Sequence, residues 1–550
     1  METALARALD YANRLRAAPR EIASLLDALS GRWIEPGPMD EPVRQPDSVP
    51  PGRSVYNFDS TAVPTAEAEA LGIRQADALI AAHREKHAGA WPTQVAVVLW
   101  STEIARTHGI NEAKVLHLLG TRAVRDTRGK VTGVALIPRE ELGRPRVDVL
   151  ASTSGHYRDH YLDKIELISE ATRLAAASPE ADNPIAKAAQ ASAEKLRSQG
   201  ESPERARALS LARVFSPAPG AYSPSIQFLA RSGDQRGDEA QMANLYTRRM
   251  SFAYGQGFYG ESARPAFEQN LARLDAASFA RSTNVNGLLD GPMPAGFLGG
   301  LNLAAKAVTG RDIDLYVANQ RDAADLSVEP AARAIQRELR ARYFNPKWLR
   351  ETIAHGYDGA RKLMYLTDHL DLWNSTARQT VTSADWAEVK ATYVDDRFGL
   401  RLDAFFEKNN PYAHQLLLGN LVAAATRGHW QATAADLAQV SRRLAQSAAA
   451  HGLACDAHLC RNPALAAALE SALGSAPDAA ALMQAYRAAL EKSNPSPPPS
   501  PRLRPPPPPH PPPLLPLPRL RPRPPPPRAP RLWSKATSSK TNSPNPTPPP

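Results

Sequence analysis

The chain has 550 residues, 51 prolines, two cysteines and a formal net charge of +10. From Pro495 to Pro550 there are 26 prolines and nine Lys or Arg among 56 residues, with no Asp or Glu. Subtracting those nine charges from +10 leaves +1 for the other 494 residues, so the body carries no basic footprint for nucleic acid. Two cysteines exclude a disulfide-built scaffold, and no apolar run reaches the ~18 residues of a membrane span.

Four segments follow in chain order. Residues 1–64 read as an N-terminal helix and an irregular connecting segment. Between Met1 and Ser30, Glu2, Arg7, Asp10, Arg14, Arg16, Arg20, Glu21 and Asp27 are spread among leucines. That pattern is amphipathic and lacks the continuous apolar core of a signal peptide, so a soluble cytoplasmic protein is expected. The run Glu35-Pro36-Gly37-Pro38, then Pro42, Pro46, Pro50 and Pro51, predicts irregular chain. Residues 65–183 read as an α/β domain. A helix over Ala66–Lys86, a short buried strand over Val95–Trp100, a helix over Asn111–Leu119, a second strand over Val147–Leu150 and a helix over Tyr161–Ala177 give the rhythm of a doubly wound parallel sheet.

Residues 184–490 read as a large α-rich region. Ser202 precedes Pro203 as an N-cap, and Thr382 with Asp385 makes a capping box before Trp386. Glycine-bearing stretches at Ser216–Tyr222, Tyr254–Gly260 and Gly287–Gly300 interrupt the helices. Residues 491–550 form a Pro/Arg-rich tail, in which prolines fix φ and remove backbone donors. A disordered polyproline II appendage is expected, or the product of a reading-frame slip; the functional alternative is a ligand for SH3-like domains.

The common catalytic signatures are missing: no phosphate-cradling loop, no Gly-x-Ser-x-Gly elbow and no His-Glu-x-x-His. Cys455, His458 and Cys460 offer three soft ligands, but a closed zinc site needs four, and small buried cysteines are common. The most suggestive stretch is Asn345-Pro-Lys-Trp348 with His355-Gly-Tyr-Asp-Gly359. Pro346 predicts a helix start, and His355-Gly356 a glycine-capped helix end. On one account His355 only complements the helix dipole. On the other it stands beside Tyr357, Asp358 and Arg361 at a cavity wall, able to bind a divalent metal or take a proton.

Over residues 25–435 the chain resembles the C-terminal half of the large subunit of cobalt chelatase (CobN) and the related magnesium chelatase large subunit. The stretches that carry the resemblance are Leu25–Gly37 with Asp47–Asp59, Val95–Trp100 with Thr102-Glu103, Gly143–Val149, Ser154–Asp159, Arg213–Phe215 with Pro219–Tyr222, Phe252–Gly255, Leu298–Leu301 and the His355 segment. The resemblance implies a subunit that holds a tetrapyrrole and receives a divalent metal as substrate, cobalt into a corrin precursor for cobalamin being favoured and magnesium the alternative. It implies that ATP is used by an AAA+ ATPase partner acting with an adaptor subunit, not by this chain. It makes His355 the metal ligand and, with Asp358, the catalytic group, while Tyr357, Arg361 and Trp348 bind the ring. The family's upstream Gly-Thr-His-Gly motif and its following glutamate are missing, and Arg106-Thr-His-Gly109 only echoes it. The chain is therefore expected to be one half of a split subunit whose N-terminal half a separate polypeptide supplies, a gene fragment, or a specialised chelatase-like binder. The alternatives are a non-catalytic tetrapyrrole- or haem-binding protein, or a helical interaction protein with a polyproline tail.

Overall fold

In the computed structural model, residues 2–493 are described apart from 39–41, 43–45, 57–58, 231–238, 455–458, 461 and 475. The tail and the Cys455/His458 pair therefore lie outside the described residues, whereas Cys460 is buried in the apolar core.

The apolar run after Thr93 becomes the central strand of an eight-stranded sheet. In chain order the strands are β1 (Gln94–Leu99), β2 (Asp148–Thr153), β3 (Val214–Ser216), β4 (Phe252–Gly255), β5 (Phe258–Ser262), β6 (Ala276–Arg281), β7 (Asp314–Asn319) and β8 (Val328–Pro330). They lie in the order β8-β7-β6-β1-β2-β3-β4-β5. The five from β7 to β3 are parallel, and antiparallel β8, β4 and β5 finish the edges. Every residue of β1 and β2 is buried, as parallel strands covered on both faces require. Val95, Val97 and Leu99 share one apolar cluster with Leu79, Val115 and Ile165 of three covering helices. Ala96 and Val98 point the other way, into a cluster with Tyr246, Phe267 and Trp373. The period-2 alternation thus builds two cores, one on each face.

The α/β layer does not stop at residue 183. Strands β3 to β8 all come from the stretch read as α-rich, and the purely helical part begins at Ala331. The reason is local: β3 has three residues, and β6 reads Ala-Ala-Ser-Phe-Ala-Arg, whose alanines favour helix until neighbouring strands claim them. Beyond Ala331, the helix Gly356–Thr376 packs against Pro411–Thr426, which packs against Ala434–His451, and that helix in turn against Pro463–Leu473 and Ala479–Ser493. The predicted capping box at Thr382 and Asp385 is present, and Ser202 caps its helix through Arg205 N.

The end of the helix after Pro346 differs from expectation. Ala354 caps Pro346–Ile353, and His355 stands at the junction, before the next helix begins at Gly356 with φ +57°. The two glycines of this segment have backbone reasons. A Cβ on Gly359 would come 2.1 Å from the Thr352 carbonyl, so glycine lets the two helices close against each other.

His414 is buried in the helical part and stacks on Phe406 with ring centroids 4.7 Å apart. Burial, reinforced by the Arg443 guanidinium, pulls its pKa down to about 3, while Arg443 itself occupies the Asp403 carboxylate. The unfolded chain therefore binds this proton near pH 6.5 and the folded chain does not. Stability is full above that pH and falls as pH drops from ~6.5 toward 3, by at most ~1.4 kcal/mol per unit. His414→Gln should flatten the acid limb of a stability–pH curve measured by urea unfolding; an unchanged slope would contradict this assignment.

Candidate functional site

The chain leaves β1 toward β2 on one side and re-enters with β6 on the other, so the strand order reverses between them. In open α/β sheets such a reversal opens a crevice outside the carboxyl ends of the strands. Here the crevice holds about 210 Å³ and is lined by Trp100, Glu103, Arg106, Arg281, Asn286 and Asp290, among others. A larger, mainly apolar cavity of about 710 Å³ adjoins it over the ends of β1 and β2, with Ser154, His156, Tyr222, Gln227, Phe228 and Phe297 in its wall. Trp100, Thr102 and Met293 line both spaces, so the two share one wall.

The walls are held by buried charge. Trp100 meets Phe279 and Phe297 edge-on, at centroid distances of 4.8 and 5.6 Å. The cavity side depends on Arg158, which donates to the carbonyls of Pro217 at 2.8 Å, Ala218 at 2.8 Å and Ala221 at 3.0 Å. Gly155 approaches that loop so closely that a Cβ would lie 2.4 Å from the Ala221 carbonyl. These contacts present Tyr222 to the cavity, where it faces His156 at 4.6 Å.

On the crevice side, Glu338 accepts from Leu288 N at 2.9 Å and Leu289 N at 3.1 Å. His369 Nδ1 meets the Leu289 carbonyl at 2.7 Å, and Trp373 donates to that of Leu288 at 3.2 Å. Arg342 bridges Glu338 and Asp290. Burial alone would raise the Asp290 pKa, but Arg342 and the Gly287 N–H outweigh it and hold the carboxyl below its usual value. Glu103 is also buried, with Arg106 at 3.5 Å. Behind it, Tyr157 donates to Glu112 at 2.9 Å and Lys114 to Ser278 at 3.2 Å. Burial drives Glu112 up and Lys114 down, so both titrate closer to neutrality than usual.

Among the described residues, the buried atoms Trp100 Nε1, Gln227 Oε1 and Arg281 Nε at these walls make no hydrogen bond to protein. An unmet buried group costs about 1–3 kcal/mol, which a ligand's polar atoms can offset. The arrangement offers an apolar wall for a flat ligand, and carboxylates and guanidiniums beside it for ions and protons.

The residues singled out from sequence lie elsewhere. His355, Tyr357, Asp358 and Arg361 are exposed around the start of Gly356–Thr376, with Asp358 and Arg361 paired at 2.8 Å. Trp348 is half-buried, 5.0 Å from Tyr343 and under the Lys362 ammonium. None of the five lines the crevice or the cavity. Trp100 and Glu103 had a visible signal, the end of a predicted buried strand. Tyr222 had one as well, at the end of a stretch that carries the family resemblance; Arg281 and Asp290 had none, because only the sheet topology brings them there.

The CobN/Magnesium Chelatase family model matches residues 2–437. The chain is 34% identical over 416 residues to the aerobic cobaltochelatase subunit CobN of Sinorhizobium sp, covering 74% of this chain and 32% of that protein. It is 31% identical over 435 residues to the chloroplastic magnesium-chelatase subunit ChlH of Oryza sativa, covering 77% and 30%. Among solved structures it is similar to the catalytic subunit of cobaltochelatase from Mycobacterium tuberculosis, with a TM-score of 0.73 and 31% identity over 78% of this chain and 36% of that one. The chain thus spans about a third of the length of these relatives. By the extent of the family match and by its fold, the chain belongs to the CobN/magnesium chelatase family.

Proposed function

We propose that this chain is the part of a metal chelatase large subunit that seats a tetrapyrrole and helps insert a divalent metal into it. Cobalt, into a corrin precursor, is the favoured substrate and magnesium the alternative. The observation that carries the reading is the shared wall at Trp100, Thr102 and Met293, where an apolar cavity meets a carboxylate-bearing crevice. A macrocycle is flat and apolar across its faces, which suits Trp100, Phe228 and Phe297; its peripheral carboxylates suit Arg106 and Arg281. Insertion exchanges the ring's inner N–H protons, two from a porphyrin or one from a corrin, for one dication, so a site must strip water from the ion and accept protons. Glu103 and Asp290 serve those tasks in this reading, with Glu112 and Lys114 as the groups behind them whose burial moves them toward neutrality.

ATP hydrolysis is assigned to a separate AAA+ ATPase acting with an adaptor. Among the described residues no helix is long and apolar enough to cross a membrane. A second placement keeps the chemistry at His355 and Asp358, with Tyr357, Arg361 and Trp348 around the ring. One contact favours it: the same helix carries His369, which holds the crevice loop at Leu289. Reconstitution with the complementary part, the ATPase and the adaptor tests the function. Insertion that needs this chain and ATP, faster with Co²⁺ than with Mg²⁺, is expected; no insertion with either ion would overturn it.

A further inference from the structure

At the opposite edge of the sheet, the helix Ala66–Lys86 ends where β7 begins. His83 and His87 are four residues apart, so both project from one face of the helix end. Their rings stack with centroids 4.2 Å apart and planes inclined by 24°. Both face the Asp314 carboxylate: His87 Nε2 lies 2.7 Å from Oδ2, and His83 Nδ1 lies 3.7 Å from the same oxygen. The three candidate ligand atoms lie within 4.8 Å of one another.

We propose that His83, His87 and Asp314 form a binding site for a divalent transition ion of the zinc type, separate from the metal-insertion site. Three protein ligands of this kind, with water in the remaining position, are a recurring set for zinc and its neighbours. Ligands held 2.0–2.2 Å from a tetrahedral ion stand roughly 3.3–3.6 Å apart. The 3.7 Å separation already fits, and the 2.7 Å contact must open by about 0.6–0.9 Å, as when an ion replaces a shared proton.

Further observations support the site. His83 is buried, and its Nδ1 makes no hydrogen bond, so a buried ring nitrogen faces the carboxylate unsatisfied. Tyr316 donates to Asp314 Oδ2 at 3.3 Å, and Lys86 pairs with Oδ1. A cavity of about 350 Å³ opens onto Lys86, Asp312, Asp314 and Tyr316 and gives room for entry and for a water ligand. β7 runs six residues from Asp314 toward the carboxyl edge, about 16–20 Å at ~3.3 Å per residue. The ion would therefore not reach the crevice; it would tie the helix end to the strand.

Lys86 is the group that opposes a cation here. Its side chain is largely exposed, so it can swing away, and it provides a test that misfolding cannot imitate. The untagged full chain, stripped of metal, is titrated with Zn²⁺ by calorimetry and with Co²⁺ by visible absorption. One tight equivalent is expected, about 100-fold weaker in His87→Gln and several-fold tighter in Lys86→Gln, and unchanged in the crevice variant Glu103→Gln. Absence of stoichiometric binding would overturn the proposal. So would binding that is the same in the wild type, His87→Gln and Lys86→Gln. Binding removed by Glu103→Gln but spared by His87→Gln would place the ion in the crevice and equally overturn it.

Discussion

Glu103→Gln is expected to slow metal insertion at least 100-fold in the reconstituted complex while leaving porphyrin affinity within about threefold. The substitution keeps the shape of a buried side chain and removes its charge and basicity. General acid–base participation contributes roughly 10²–10⁴ in rate, and losing the anion also withdraws a ligand for the incoming dication. Arg106 lies 3.5 Å from Glu103 in the wall of the same crevice, so the loss also changes its electrostatic surroundings. A drop in rate with binding retained separates a chemical role from a scaffold role, because distorted walls would weaken ring binding as well. His355→Ala run in parallel decides between the two placements. Insertion at the unmodified rate in Glu103→Gln, with insertion lost in His355→Ala, would move the chemistry to the helix junction.

Asp148→Asn is expected to cost about 3–5 kcal/mol of stability, more than any other single change considered for this fold. Asp148 and Arg213 meet at 2.7 Å, and the side chain of each is 1% exposed. Gln94 also donates to Asp148 at 3.2 Å, so three neighbouring strand segments converge on one carboxylate. Breaking such a pair leaves Arg213 charged and desolvated, met only by neutral carbonyls, those of Ser210, Ala212 and the new side-chain amide at position 148, in place of a carboxylate. Urea unfolding followed by circular dichroism gives the value. The double variant Asp148→Leu with Arg213→Met should recover much of the loss, since an apolar pair of similar volume carries no buried charge. A cost below about 1 kcal/mol for Asp148→Asn would show that water reaches the pair.

Local chemistry explains what was legible in the sequence. The helix Ala66–Lys86 has the bounds expected, because Thr65 caps its first turn through Ala68 N and the polar–apolar spacing persists to Lys86. β1 was legible because Val95–Leu99 is continuously apolar, whereas β2 showed only its apolar centre, since its buried ends are Asp148, Ser152 and Thr153. β3 and β6 were not: three residues carry little signal, and an alanine-rich strand looks helical until its neighbours supply the hydrogen bonds. Several stretches that carried the family resemblance serve the frame. Arg146 donates to the carbonyls of Gly120 and Ile137 and pairs with Glu180 at 2.7 Å. Arg158 braces the Pro217–Ala221 loop, and Gly359 lets two helices touch. A motif marks where a family is constrained; it does not say whether the constraint is chemical or steric. For His355 the sequence could not distinguish a cavity wall from a solvent-facing helix junction, because both need the same glycines. For the crevice, Trp100 and Glu103 sit one turn past a legible strand, but their partners Arg281 and Asp290 arrive only through the return of β6 beside β1.

The central claim is that the ring occupies the apolar cavity at the carboxyl edge, with Met293 in the wall it shares with the crevice. The most direct measurement is an equilibrium titration of the full chain with a free-base porphyrin, followed by visible absorption and tryptophan quenching. The wild type should bind one equivalent. Met293→Asp, which sets a charge against an apolar ligand face, should weaken binding at least ~10-fold, or about 1.4 kcal/mol. His355→Ala should bind as the wild type does. Equal affinity in the wild type and Met293→Asp, with affinity lost in His355→Ala, would contradict the placement of the ring.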